Sequence, residues 1–435
     1  MKRIQERSAA ALVMAGVVVL GLLLYVFLLA RNGQSWASYA ANQHIYRGGV
    51  LKSGTVTDRN GTVLAECDEN GWRYADDEAL RRASLHAVGD HRGYIGSGAL
   101  RLFAGELSGY SFVNGTPEGG NTVALSLDSE LQRTAYTALG GRNGAVVLMN
   151  YETGEILCMV SLPTYDPNGE ADTSLDGVFI NRATGAGFTP GSIFKLVTLA
   201  AAIDCIPDLR ERTFVCEHTV EYGPDTVTCS GWHGEQTIEM ALANSCNVAF
   251  AQLATELGGD TLARYAKKLG VSGALTLDGA TLGSGRFDTA EKGTSLEAWS
   301  GIGQYNDLVT PYAMMRLCAG IAAGGTVREP TLLLGGGSER TSLLAPACAE
   351  LIGECMHYAV TQHYGEWNFP GLDLCAKTGT AELDDGSRNG WFVGYLRSGA
   401  PLAFAVVLER GGDGITYAAP VANTVLQKAV EIYGQ

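Results

Sequence analysis

The pattern of apolar and polar positions divides the chain into three stretches. From Ala9 to Ala30 no charged residue interrupts the sequence, while Lys2, Arg3 and Arg7 precede this run and a single Arg31 follows it. A run of that length crosses a bilayer as a helix, and it exceeds the roughly 7–15 apolar residues of a cleaved signal peptide. A retained anchor at 9–30 is therefore expected, with the basic residues holding a tail at 1–8 in the cytoplasm and everything else outside.

Beyond the anchor the pattern turns to short alternating runs. Gly54 to Ala65 reads as two β runs around Asn60-Gly61, a strong hairpin signal. Between Gly115 and Asn121 the composition shifts to Gly, Pro, Thr and Asn, a linker signature. A small β-rich accessory domain at 31–120 is thus set apart from a larger domain at 121–435. The second opens with Thr122 to Leu127 alternating as a strand, then Asp128-Ser129-Glu130, a capped helix start. Gly144 to Asn150 and Glu155 to Val160 flank a turn at 152–154 and predict a second hairpin. Trp391 to Tyr395 and Leu402 to Leu408 read as strands, and Val421 to Tyr433 as a helix. Strands at both ends with helices between predict an α+β fold, a central antiparallel sheet covered by helices.

Candidate chemistry centres on Thr189-Pro190-Gly191-Ser192-Ile193-Phe194-Lys195, which runs into apolar helix formers with no further breaker until Pro207. Ser192 falls at a helix start, and Lys195 three residues on shares its face, with Cβ atoms roughly 5–6 Å apart. A serine hydroxyl needs a base to become a nucleophile, and a lysine supplies one when burial or a neighbouring positive charge lowers its pKa. Alone, the pair is as readily a helix cap beside a solvated lysine. Downstream stand Ser245-Cys246-Asn247 and Lys377-Thr378-Gly379-Thr380, each ordinary as a helix turn or a strand end when taken singly.

Together and in this order, S-x-x-K, S-x-N and K-T-G form the signature of penicillin-binding proteins and class A β-lactamases. With Ser161 to Asn168, Asn181-Arg182-Ala183, Gly303-Gln304, Thr310-Pro311 and Trp391 to Tyr395 in similar order and spacing, residues 121–435 resemble a class B penicillin-binding protein. Asp58-Arg59-Asn60-Gly61, Ala87 to Asp90 and Ile95 to Gly98 extend the likeness upstream. The resemblance implies a penicillin-binding, serine β-lactamase-like transpeptidase domain on a membrane anchor, a D,D-transpeptidase that cross-links peptidoglycan stem peptides and is acylated by β-lactams.

Carried over motif by motif, the resemblance makes Ser192 the nucleophile, Lys195 its base and Ser245 a proton relay to the leaving amine. Asn247 would bind the substrate amide and Lys195, and Lys377 and Thr378 the terminal carboxylate. Gly379 would admit the substrate backbone to an edge strand, and the Thr380 N–H would complete an oxyanion hole with that of Ser192. No metal or organic cofactor is implied. A membrane-embedded glycan polymerase is the partner such proteins suggest. Ile193 and Tyr305 depart from the family pattern at positions without an obvious chemical role. A D,D-carboxypeptidase would use the same residues; a serine β-lactamase would need a deacylating base, and Glu366-Trp367-Asn368 has the wrong spacing for one. A β-lactam sensor would need a signalling domain on the cytoplasmic side.

Composition adds two constraints. The net charge of −15, with no cluster of Lys and Arg, excludes nucleic acid as a partner. Ten cysteines in a chain expected to be exported, most of them read as free thiols, point to an anaerobic or weakly oxidising setting. Cys216 and Cys229 frame a Gly-, Pro- and Asp-containing loop followed by His233, which allows a disulfide, a metal clip with His233, or two thiols. The others, Cys246, Cys158, Cys318 and Cys375 among them, read as small buried hydrophobes.

Overall fold

The computed structural model describes residues 2–37, 46–47, 50–68, 71–111, 114–115, 117, 119–337 and 339–434. Helix α1 (Lys2–Ala37) contains the expected anchor and is long and apolar enough to cross a membrane, with its apolar residues exposed. A small sheet follows, made of β1 (Gly54–Thr57), β2 (Val63–Asp68), β3 (Gly71–Tyr74) and β4 (Thr122–Ala124), in the order β3-β2-β1-β4. Part of the expected linker, Thr116 and Glu118, lies outside the described residues.

The β1–β2 hairpin forms where Asn60-Gly61 predicts it, and Asp58 fixes it. One Asp58 carboxylate oxygen accepts from the N–H groups of Asn60 (2.9 Å) and Thr62 (2.7 Å), the other from the Ser129 hydroxyl (2.6 Å). This buried carboxylate therefore joins the hairpin to α3 (Ser129–Leu139), whose first turn is capped by Asp128 as expected. Asp58→Ala is expected to cost about 2 kcal/mol, because it leaves the buried Ser129 hydroxyl and two turn N–H groups without their acceptor, and should appear as a fall in the thermal midpoint.

The strand at 122–124 pairs in parallel with β1, Thr55 opposite Thr122, and so completes the small sheet while leading into α3. Helix α2 (Glu78–Val88) then packs against α3 and the main sheet. Arg81 grips the Asp166 carboxylate through two nitrogens (2.6 and 2.9 Å), and Arg59 pairs with Glu155.

The main sheet comprises β5 (Gly144–Asn150), β6 (Ile156–Leu162), β7 (Leu374–Glu382), β8 (Arg388–Leu396) and β9 (Leu402–Leu408). Its order is β7-β8-β9-β5-β6, antiparallel throughout, with β7 at an edge. The side-chain alternation of a strand sorts it into two faces. Ala145, Val147 and Met149 join the core that holds Leu196, Val197, Met314 and Leu317, whereas Val146 and Leu148 join Leu131, Ala135, Val421, Val425 and Leu426. Helices thus cover both faces: α5 (Pro311–Ala322) on the first, with α4 (Lys195–Cys205) in the same core, and α3 and α6 (Ala419–Tyr433) on the second.

Candidate active site

Ser192 lies in a 3₁₀ turn, Gly191–Phe194, immediately before α4. In such a turn residues three apart eclipse, so Ser192 and Lys195 face each other more directly than on the expected α-helix. Two glycines let this turn seat against its neighbours. Gly191 has φ +54°, and a Cβ there would lie 2.7 Å from the Thr380 carbonyl oxygen. A Cβ on Gly379 would meet the Pro190 carbonyl at 2.8 Å, so the turn that carries Ser192 approaches closely at this glycine. From below, the turn is held by Gly191 N–H to Gly303 O (2.8 Å) and by the Trp391 indole N–H to Thr189 O (3.0 Å). Phe194 stacks on Phe287. The Gly303-Gln304 and Trp391 to Tyr395 segments thereby act on the Ser192 turn as supports.

Ser245 sits between the helices 238–243 and 247–257, in the left-handed region at φ 52°, and Asn247 opens the second of them. Lys195 is fully buried, and its Nζ lies 3.1 Å from Ser192 Oγ, 2.5 Å from Ser245 O, 2.8 Å from Asn247 Oδ1 and 3.3 Å from Ser245 Oγ. Ser245 O and Asn247 Oδ1 can only accept, so each takes one hydrogen of the amine. A neutral Lys195 then has its lone pair directed at the Ser192 hydroxyl. Burial first, and the positive charge of Lys377 second, hold its pKa well below that of an ordinary lysine.

Lys377 and Thr378 are on edge strand β7. Lys377 is also fully buried, and burial brings its pKa down to about 7. Its Nζ donates to Ser245 Oγ (3.0 Å) and to Thr378 O (2.9 Å), so Ser245 Oγ stands between the two amines. A cavity of about 780 Å³ opens over the group, lined among others by Ser192, Ser245, Asn247, Thr378, Thr380 and Tyr305. The Thr380 hydroxyl accepts from Gly414 N–H (3.3 Å). Tyr305, without an assigned role in the sequence, contributes to the cavity wall, whereas Glu366, Trp367 and Asn368 are not among its lining residues.

Sequence reasoning missed Tyr364. Its buried hydroxyl accepts from the Thr378 N–H (3.2 Å) and lies 3.2 Å from Thr378 Oγ1 and 3.4 Å from Lys377 Nζ. No motif announces it, because it arrives from a π-turn at Val360–Tyr364 that lies outside the strand carrying Lys377 and Thr378. Tyr364→Phe is expected to raise the benzylpenicillin concentration needed for half-maximal acylation by up to about tenfold, with little change in the maximal rate. A concentration series of acylation rates measures both.

All ten cysteines are thiols, so the Cys216–Cys229 disulfide allowed by the sequence is not formed.

Comparison with known proteins agrees with this geometry. Residues 144–427 match the family model described as the penicillin binding protein transpeptidase domain. The peptidoglycan D,D-transpeptidase PbpA of Mycolicibacterium smegmatis is 30% identical over 385 residues, 76% of each chain. Its namesake in Mycobacterium tuberculosis is 29% identical over 384 residues, again 76% of each. Among solved structures, the D,D-transpeptidase domain of a peptidoglycan glycosyltransferase from Eggerthella lenta superposes with a TM-score of 0.73 at 26% identity, covering 88% of this chain and 98% of that one. With the three motifs gathered at one cavity and the family match spanning most of the main domain, the chain belongs to the penicillin-binding protein transpeptidase family, as its class B resemblance implied.

Proposed function

We propose that the chain is a membrane-anchored peptidoglycan D,D-transpeptidase that works through an acyl-enzyme on Ser192. The observation that carries this reading is the buried amine of Lys195, held by two pure acceptors with its remaining direction on Ser192 Oγ. Neutral Lys195 takes the Ser192 proton as Oγ attacks the carbonyl of the penultimate D-Ala of a stem peptide, and the carbonyl π electrons move onto its oxygen. The N–H groups of Ser192 and Thr380 receive that oxyanion. On collapse the terminal D-Ala leaves as an amine, protonated by way of Ser245 Oγ, which touches both lysines. An amine from a neighbouring stem peptide then attacks the ester, losing a proton by the same route, and frees Ser192. Thr378, with the positive charge of Lys377 behind it, receives the substrate carboxylate, and Asn247 binds its amide. Gly379 seats the nucleophile turn and leaves the backbone of β7 open beside it.

The domain division at 31–120 and 121–435, the cytoplasmic tail at 1–8 and placement of the catalytic domain outside the cell membrane belong to the same reading. So does a glycan polymerase held through residues 9–30 and the small sheet. Exchanging 9–30 for an unrelated membrane helix should abolish co-purification of that polymerase; unchanged recovery would exclude the contact.

The test of the activity is the intact mass of the purified chain followed for hours with benzylpenicillin, and the mass of the peptide carrying any adduct. One persistent drug mass on the segment containing Ser192 supports the reading. Intact drug and no adduct overturn it, and drug consumed with no adduct would indicate a β-lactamase. A carboxypeptidase would release D-Ala from a stem peptide without using an added acceptor amine.

A further inference from the structure

Directly beneath the Ser245-Cys246-Asn247 turn, three thiols and an imidazole converge from four segments. Cys216 ends the strand 214–216, Cys229 follows the strand 225–228, His233 precedes the strand 234–236, and Cys246 caps the helix 247–257. One ligand atom from each lies within 4.8 Å of all the others. Cys229 Sγ is 3.9 Å from Cys246 Sγ and 3.6 Å from His233 Nδ1. A tetrahedral zinc ion with sulfur at about 2.3 Å and nitrogen at about 2.0 Å spaces its ligands about 3.5–3.8 Å apart, which these separations match. A disulfide would instead draw one pair to about 2.0 Å and leave the other two ligands idle.

The surroundings suit coordinated thiolates. All three cysteines are buried, at 2% exposure or less. The backbone N–H of Asn247 points at Cys229 Sγ (3.2 Å) and that of Ala249 at Cys246 Sγ (3.4 Å), the donor placement that stabilises sulfur charge around a metal. Cys246, which the sequence reading grouped with the buried hydrophobes, supplies the fourth ligand; a single cysteine in an apolar run carries no local mark that distinguishes the two roles.

We propose that Cys216, Cys229, His233 and Cys246 form a closed, four-coordinate zinc site. Soft sulfur ligands with one imidazole select zinc over harder divalent ions, and four protein ligands leave no position for a reacting water, so the ion is structural. Binding displaces three thiol protons and leaves a net charge of −1 on the unit. The ion fastens the loop at 214–236 to the turn that carries Ser245 and Asn247. Thr228 O already holds Asn247 Nδ2 at 2.9 Å, which orients Asn247 Oδ1 toward Lys195, so the zinc ligands are positioning residues for the catalytic amine. The site itself stands apart from the proposed activity; its effect on acylation rests on that reading.

The experiment takes the full chain in detergent, purified under reductant, and reads zinc by elemental analysis and native mass. One zinc per chain is expected in the parent and in Cys205→Ser, whose thiol is exposed and outside the cluster. Loss of zinc is expected in Cys216→Ser and in His233→Ala, the latter at the partly exposed edge of the cluster and the variant best able to keep the fold. Cobalt in place of zinc should give thiolate-to-metal charge-transfer bands in the parent only. A parent that stays metal-free after incubation with zinc chloride and reductant overturns the site, as does a folded His233→Ala that retains full zinc and an unchanged cobalt spectrum. Stripping zinc from the parent should slow benzylpenicillin acylation by about tenfold, reversibly on adding zinc, in the range found for groups that orient a site. Equal rates with and without zinc overturn the positioning role. A zinc-loaded chain that never acylates counts against the transpeptidase reading alone, since the zinc count is read separately.

Discussion

Ser192→Ala is expected to leave no drug mass on the chain after incubation with benzylpenicillin, and Lys195→Ala to slow formation of the adduct by roughly 10²–10⁴-fold. Removing the hydroxyl removes the only atom that the proposed chemistry acylates. Removing the amine keeps the nucleophile but leaves its proton without a base, because the other amine, Lys377, is engaged with Ser245 Oγ and Thr378 O. The same pair sets the pH profile. Lys195 acts when neutral, so the rate rises as pH rises through its pKa, and burial with the Lys377 charge places that limb well below the ordinary lysine range. Lys377 attracts a carboxylate when charged, so efficiency falls as pH rises above about 7. A bell of acylation efficiency against pH is expected, its limbs belonging to the coupled pair. In Lys195→Ala the ascending limb should vanish. Time courses of intact mass between pH 5 and 10 would record both, and a Lys195→Ala chain that acylates at the parental rate would remove Lys195 from the mechanism.

Gly303→Ala should disable the site from below. Gly303 has φ +83°, and a Cβ there would stand within contact-breaking range of two neighbours, 2.7 Å from Phe194 Cβ and closer still to the Gly191 carbonyl oxygen. The left-handed backbone costs a non-glycine residue about 1–3 kcal/mol, and the clash can be relieved only by moving the turn that carries Ser192. A displacement of that turn by about 1 Å should reduce acylation by about 10²-fold. Gly371→Ala separates the two effects: Gly371 also has positive φ, +75°, but has open space around it. It should lose stability and keep the acylation rate. Parallel melting curves and acylation rates decide, and comparable acylation losses in both variants would rule out the steric account.

The residues proposed to do the chemistry, which the structure gathers around one cavity, stand out in the sequence because each chemical demand is met locally: a serine and a lysine one turn apart, a serine and an asparagine around one residue, a lysine and a threonine side by side. Four strands of the main sheet were legible because each is a short apolar run bounded by turn residues, buried on both faces, and the Asp128 cap because its acceptor lies beside the donors it serves. What stayed hidden depends on partners that meet only when separate elements pack together. Tyr364 meets Thr378 only after a π-turn redirects it. The pairing of Thr55 with Thr122 is parallel and needs a long crossover, so neither strand bears a trace of the other. The approach of Gly379 to Pro190 O was hidden as well, a contact that exists only once the sheet edge and the turn carrying Ser192 are brought together.

The strand at 122–124 has a consequence for how the molecule comes apart. It is bonded laterally to β1, and the chain then continues through Leu127, whose carbonyl takes the Arg59 N–H (3.0 Å), directly into the Asp58-bound start of α3. Heat or denaturant cannot peel the small sheet away without exposing the first helix of the catalytic half, so the two halves should behave as one cooperative folding unit with a single melting transition. A fragment begun at Asn121 would carry an orphan edge strand and an unpaired helix start, and one begun just ahead of Gly54 would keep both partners.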